Sequence, residues 1–509
     1  EIVPSPDFKK VAYRHGHQAW VTALPHWGHE VDGKGEALPK SKHTYIVGDW
    51  LGWTPDGEAL TWAEGPLLKK KTLTAVAPPD EPDGEEEEER SEEERLAEGV
   101  ETVEIDLRLP RAKPEGTVAL THARLVTMAG DEVLEDTTVV IDGDRIVAIG
   151  GAVPEGAKEV DCTGRTIIPG LIDSHAHLHY TSGDILPEQE WRYLTSLDFG
   201  VTTVHDPSSP TDLVFTQAER VEAGLMKGPR VYSTGFILYG ALNNEGAETP
   251  DLEAARRHIR RLKTMGAISA KIYQQSQRER RQWYIQACRE EEILCVPEGG
   301  GDLWMDLGMV ADGYHSIEHA LPNAPVYADV RAFFSASPQQ MGGPGTAYVP
   351  TLVVAYGGVT GDTWFYQNKS PLNDERLLRH MPRRVLDGMA WRWGLFVQEE
   401  DFNHQQVARD AAKMQQEGTL VALGAHGQMQ GVGVHWELWG LGGPGAMAPH
   451  AALRAATLDG AKFLGLDHQL GSIEVGKLAD LVVLESNPLD DIKNSTDIAF
   501  VVKNGEIFE

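Results

Sequence analysis

The apolar positions of this chain change period along its length. Residues 118–168 alternate apolar and polar side chains in short segments, the two-residue period of half-buried strands. Val139 to Ile149 gives two such strands around Asp142-Gly143-Asp144, a sequence suited to a tight hairpin turn. The stretch from Ala479 to Phe508 has the same texture and ends in a second hairpin around Lys503-Asn504-Gly505-Glu506. Between these flanks, residues 169–465 alternate strand-like and helix-like stretches, which predicts βαβ units and a parallel sheet. Leu252 to Met265 carries Leu252, Ala255, Ile259 and Leu262 at helical spacing and reads as an amphipathic helix. Ala270–Tyr273, Ile293–Val296, His315–Ile317, Tyr348–Val354 and Leu420–Leu423 read as strands.

The first segment contains a repeat. Ser5-Pro6-Asp7-Phe8-Lys9-Lys10-Val11-Ala12-Tyr13 returns as Thr54-Pro55-Asp56-Gly57-Glu58-Ala59-Leu60-Thr61-Trp62, 49 residues on. A turn feeding an apolar strand at a period of roughly 40–50 residues is the pattern of propeller blades. Residues 1–79 therefore resemble part of a TolB-type β-propeller, and two blades cannot close one. Either further propeller sequence was removed, or another chain completes it; a small all-β appendage is the alternative. Residues 80–117 are expected to be a solvated acidic linker. Within it, residues 80–106 hold 15 Asp/Glu against 2 Arg, net −13 of the chain's −31.

At 509 residues, two or three domains are expected, and 41% hydrophobic content supports packed cores. No window of eighteen consecutive apolar residues occurs, so no membrane-spanning helix is predicted. The charge of −31 excludes nucleic acid as the expected partner, because a polyanion would be repelled. Cys162, Cys288 and Cys295 offer no disulfide framework and no zinc-thiolate spacing, and buried free thiols are expected. The chain starts at Glu1 without a signal peptide, which reads as a processed or truncated product.

The apolar run from Ile167 ends in His175-Ala176-His177. In a strand, residues i and i+2 share a face, so both imidazoles aim at one point. Imidazole is a good ligand for zinc and similar divalent ions, and two of them make half a metal site. The segments Pro169 to His177, Gly200-Val201-Thr202-Thr203-Val204, Ser316-Ile317-Glu318-His319 and Gly471 to Leu484 resemble the amidohydrolase superfamily, metal-dependent hydrolases on a (β/α)₈ barrel. The imidazolonepropionase-like and prolidase-like subgroup is the nearest likeness, from about residue 118 to the C-terminus. This resemblance implies an α/β fold with a barrel over 169–465. It also implies a small β-sandwich composed of 118–168 and 466–509. Burial agrees, since neither flank could cover its apolar face alone.

The resemblance further implies a ligand set. His175 and His177 are joined by Lys271, which in the superfamily is carboxylated by CO₂ into a carbamate bridging two metals, and by His319. An ion pair with a carboxylate is the alternative reason for a lysine in an apolar strand. Glu318 is expected either behind the ligands or on the opposite face. Two positions depart from the pattern. At the fifth strand, where a histidine is common, the chain has Glu298 in Cys295-Val296-Pro297-Glu298-Gly299-Gly300-Gly301; at the eighth, where Gly-Thr-Asp is usual, it has Gly424-Ala425-His426-Gly427. Together the exchanges leave the donor inventory unchanged, so a working centre of two divalent ions, zinc or manganese, is expected. The eighth-strand residue is the superfamily's proton acceptor, which makes His426 the first candidate base and Glu298 the second.

The expected reaction is metal-assisted hydrolysis of an amide or related C–N bond, in an N-acyl amino acid or a dipeptide-like substrate. Tyr273, Tyr239 and His435 are candidate substrate contacts, with Trp436 and Trp439 as candidate pocket walls. The rivals are an ester or lactone hydrolase, a ring deaminase, and a metal-free scaffold protein. Deaminases of the superfamily usually lack the bridging lysine. A homo-oligomer is expected, and a periplasmic or secreted location is preferred to a cytoplasmic one.

Overall fold

The structure, a computed structural model, describes residues 1–24, 38–73, 90–178, 186–240, 247–299, 301–337, 345–355, 358–390 and 397–509. The Glu85–Glu89 run and Gly300 lie outside the described residues. The chain divides into two compact units, residues 1–109 with 242–266, and residues 110–241 with 267–509.

In the first unit, β1 (Ile2–Pro4), β2 (Lys10–His15), β3 (Gln18–Ala23) and β4 (Lys40–Lys42) form one antiparallel meander. A second meander contains β5 (Asp49–Trp53), β6 (Ala59–Glu64), β7 (Leu67–Thr72) and β8 (Val100–Glu104). The sequence repeat is a shared turn. Ser5 Oγ donates to Asp7 and accepts from the Lys10 N–H, and Thr54 Oγ1 does the same with Asp56 and Ala59. The fourth turn position is left-handed in both copies, Phe8 at φ 55° and Gly57 at 73°, a conformation glycine adopts without strain. Ala12, Val21, Leu51, Leu60 and Trp62 form one apolar cluster spanning both sheets.

The acidic segment is not a linker throughout. Glu92–Ala97 is a helix whose Ser91 and Glu94 cap each other, and its first-turn glutamates sit at the favourable end of the helix dipole. Residues 100–104 then pair with β7 as its outer neighbour. The reason is local charge matching. β7 carries Lys69-Lys70-Lys71, and Lys70 Nζ lies 2.9 Å from Glu101 while Lys42 Nζ lies 2.9 Å from Glu92. The helix Leu252–Thr264 also groups with this unit and not with the barrel unit in which the sequence placed it. The Tyr45 hydroxyl bonds Glu253, and Arg260 meets Glu93 at 3.0 Å.

The second unit opens with β9 (Thr117–Val126), β10 (Val133–Asp142), β11 (Arg145–Ile149), β12 (Lys158–Asp161) and β13 (Thr166–Pro169). Parallel strands follow: β14 (Leu171–Asp173), β15 (Val201–Asp206), β16 (Arg230–Ser233), the short β17 (Leu238–Tyr239), β18 (Ser269–Tyr273), β19 (Leu294–Pro297), β20 (Ser316–Glu318) and β21 (Ala347–Val349). Residues 420–423 complete the set. Tyr348 N–H donates to Leu420 O, and Ser174 N–H donates to Leu423 O, which returns the last strand to the first. This is the barrel arrangement of an α/β fold. Last come β22 (Leu481–Leu484), β23 (Ile498–Lys503) and β24 (Glu506–Phe508). They join the opening strands in one sheet ordered β11-β10-β9-β13-β22-β23-β24, with β12 on β9. Leu120, Val139, Ile141, Ile167, Leu481, Val483 and Val502 share its core, so each flank covers the other's apolar face.

The strand read over 348–354 is shorter than the sequence suggests. It stops at Val349 because Pro350 has no N–H and Thr351 turns left-handed at φ 42°. Leu352–Val354 becomes a 3₁₀ turn, and its Leu352 and Val353 N–H groups donate to Glu437 at 2.7 and 3.0 Å. Burial pushes the Glu437 acid from 4.5 up to about 8. A folded value above the unfolded one means that the native state holds the proton more tightly. Stability from this group is therefore complete below pH 4.5 and is lost as pH rises through 8. Glu437→Gln should flatten the decline of melting temperature across that window, followed by circular dichroism; an unchanged slope would remove Glu437 as its source.

Cys162, Cys288 and Cys295 are buried free thiols. Among the described residues, no helix is long and apolar enough to cross a membrane.

Candidate metal centre

The carboxyl ends of the parallel strands bring together side chains from β14, β18, β19, β20 and the 420–423 segment. His175 and His177 follow β14, and His426 follows residue 423, with its N–H donating to His175 O at 2.7 Å. One ring nitrogen from each of these three histidines lies within 4.8 Å of the others. His319 closes the group, its ring 4.7 Å from His175 and 5.0 Å from His426 between centroids. Glycine permits this closeness. A Cβ on Gly424 would stand 2.6 Å from the His175 Cβ, and one on Gly427 would stand 2.2 Å from His177 O.

His175 is fully buried, and its Nδ1 lies 2.5 Å from Glu318 Oε2. With the carboxylate accepting from Nδ1–H, the Nε2 lone pair is free, and that atom is buried without a hydrogen-bond partner. An orphaned imidazole nitrogen facing two others is what a metal ligand requires. Burial, then the neighbouring positive groups, pushes His175 and His426 well below the usual histidine value. Both are therefore neutral, the form that binds metal.

On the other side of the cluster, Lys271 Nζ lies 2.9 Å from Glu298 Oε2, and His319 Nε2 lies 3.3 Å from Glu298 Oε1. Burial opposes the Glu298 charge, but Lys271 and His319 outweigh it and hold the carboxyl well below its ordinary value. Lys271 is 1% exposed, and this ion pair balances its buried ammonium. Tyr273 comes to the same place. Burial first, then Glu298 and Tyr239, pushes its phenol up to about 12, and its ring is 5.2 Å from that of Tyr239.

His435 does not reach this group. It is fully buried in the helix Val432–Leu441, with Nδ1 bonded to Ser495 Oγ at 2.9 Å and Nε2 to Phe199 O at 2.9 Å. Both nitrogens are used structurally, so the expectation of a substrate contact is corrected. Trp436 packs in a core cluster with Phe365 and Tyr366. His315 is also structural, bonding Phe463 O at 2.7 Å.

Several contributors escaped the sequence reading. Asp206, at the end of β15, accepts from the Leu178 N–H at 3.2 Å and lies 3.6 Å from His177 Nδ1. Thr351 Oγ1 is 2.8 Å from His319 Nδ1. Asp206 had a signal, namely a carboxylate at the carboxyl end of the second barrel strand. Glu318 stands behind His175, against its Nδ1. Glu318→Gln should weaken metal affinity roughly 10- to 100-fold in a metal titration; unaltered affinity would deny it an orienting role.

Residues 403–508 match the family model described as the amidohydrolase family. The matched stretch is about a fifth of the chain. Over shorter stretches it is 38% identical across 98 residues to the adenine deaminase of Cereibacter sphaeroides, covering 19% of this chain and 16% of that protein. It is 44% identical across 79 residues to the imidazolonepropionase of an Arthrobacter species, covering 15% and 20% respectively. The chain thus covers well under two thirds of these relatives' length. A solved Xaa-Pro dipeptidase with bound methionine in the active site shares its fold at TM-score 0.58 and 20% identity, over 77% of this chain and 100% of that one.

Proposed function

We propose that this protein is a member of the amidohydrolase superfamily, a metal-dependent hydrolase of C–N bonds acting on an N-acyl amino acid or a dipeptide-like substrate. The observation that carries this reading is the trio of His175, His177 and His426, within 4.8 Å of one another and including the orphaned, buried Nε2 of His175. His175, His177 and His426 would hold one divalent ion, with Glu298, His319 and Lys271 available to a second. Such ions, zinc or manganese, would lower the pKa of a bound water and polarise a carbonyl. Donor chemistry fits: neutral imidazoles and an ionised carboxylate are ligand forms.

A Lys271 carbamate would bring a further negative charge beside Glu298 and Glu318, which requires divalent cations to balance it; without them the ammonium pairs with Glu298. Glu298 is the better base. Its carboxylate stands outside the trio whose nitrogens lie within 4.8 Å of one another, whereas the His426 ring belongs to that trio. In this reading the Glu298 carboxylate takes the proton of the attacking water and returns it to the leaving nitrogen. Tyr273 stands beside Glu298 with Tyr239 against its ring, and both are read as substrate contacts. The two N-terminal meanders are read as propeller blades that another chain or segment completes. Export and a homo-oligomeric state accompany this reading.

The test separates Glu298 from His426. Glu298→Gln should keep metal bound by the histidine trio while kcat falls by about 10²- to 10⁴-fold. His426→Ala should lose metal and turnover together. Substrate identity is read from a panel of N-acyl amino acids, Xaa-Pro dipeptides, lactones and aryl esters with added zinc or manganese. Lactone turnover without amide turnover would favour the ester-hydrolase alternative.

A further inference from the structure

A cavity of about 580 Å³ lies beside the helix Val432–Leu441. No residue of the candidate metal centre lines it. Its volume is within the range of small-molecule pockets, roughly 300–1,000 Å³. Trp364, Phe365 and Trp439 form its aromatic walls, and each is held in place. Trp364 Nε1 donates to both Glu399 oxygens at 3.1 and 2.9 Å, and Trp439 Nε1 donates to Ser495 Oγ at 3.0 Å. Phe365 stacks on Trp436 with centroids 5.2 Å apart and planes at 3°. Walls fixed before binding lose little freedom when a ligand enters.

The lining carries two acids, Glu399 and Asp491, each engaged by neutral donors, and two lysines. Glu399 is occupied by Trp364 and by Gln405. Asp491 accepts from the Lys493 N–H at 3.0 Å. Lys369 and Lys493 also line the cavity, and among the described residues neither ammonium has an acidic partner. His404, 3% exposed, leaves its Nδ1 buried with no hydrogen-bond partner. A buried polar atom left unpaired in the wall of a cavity marks a place where a polar group is missing.

We propose that this cavity binds a small aromatic carboxylate, its ring against Trp364, Phe365 and Trp439 and its acid toward Lys369 and Lys493. The assignment stands apart from the reading of the metal centre. Isothermal titration of the whole protein with 2-naphthoate tests it, with 2-naphthamide as the neutral match. The acid should bind at a single site, with the amide at least about tenfold weaker. Lys369→Met/Lys493→Met should weaken the acid by a similar factor, and both lysines are exposed, so folding is spared. Added salt should lower the affinity as well. No saturable heat up to about 5 mM, or equal affinity for acid and amide, overturns the proposal. So does binding that ignores the lysine pair and disappears in His175→Ala/His177→Ala, which would place the carboxylate at the metal centre.

Discussion

Replacing His175 and His177 together with alanine is expected to strip bound metal from the purified protein and cut kcat/KM by on the order of 10⁴-fold, about 5 kcal/mol of lost transition-state stabilisation. Both residues leave the carboxyl end of one short strand, and each supplies a nitrogen to the trio that lies within 4.8 Å. With both rings gone, His426 is the one member of the trio left, and one imidazole does not hold a divalent ion in that position at neutral pH. The fold should survive, because His175 packs in a site whose other members remain bonded through Glu318, Ser316 and Thr351. Elemental analysis and a circular dichroism melt on the same sample separate loss of metal from loss of structure. Full metal content in this variant would remove the trio from the reaction altogether.

Lys271→Ala is expected to produce the next largest effect, abolished turnover with roughly half the bound metal lost. Two consequences of one substitution can be read apart. In metal-free protein, Glu298 loses the ammonium 2.9 Å away and keeps a buried charge, so stability should fall by about 3–5 kcal/mol. In metal-loaded protein, the carbamate reading requires a ¹³C resonance from labelled bicarbonate that is absent in the variant. If turnover persists, the bridging role ends; if the resonance is missing in the parent protein, Lys271 acts only as the cation beside Glu298.

Much of the fold was legible because burial imposes it locally. The two-residue alternation of 118–168 and 479–508 could cover its apolar face only by pairing the flanks, and β13 pairs with β22 accordingly. Within the acidic segment, residues 92–104 depart from the expected linker because their partners are not local. Their partner strand, Lys69 to Lys71, lies some thirty residues earlier, and nothing in local composition announces that pairing. His435 was misplaced for a related reason. A histidine after the eighth strand suggests the active face, but its helix turns both nitrogens to Ser495 and Phe199.

The sequence by itself determined the strand texture of the two flanks and the His-x-His geometry, since these follow from period, turn chemistry and side-chain alternation over a few residues, while the pairing of the flanks was implied by the family resemblance. Only the tertiary structure decided that Glu298 faces Lys271, that Glu318 fixes His175 from behind and that Asp206 stands beside His177. Those contacts join residues separated by tens to hundreds of positions. They depend on how the strands rotate as the barrel closes, which no local pattern encodes.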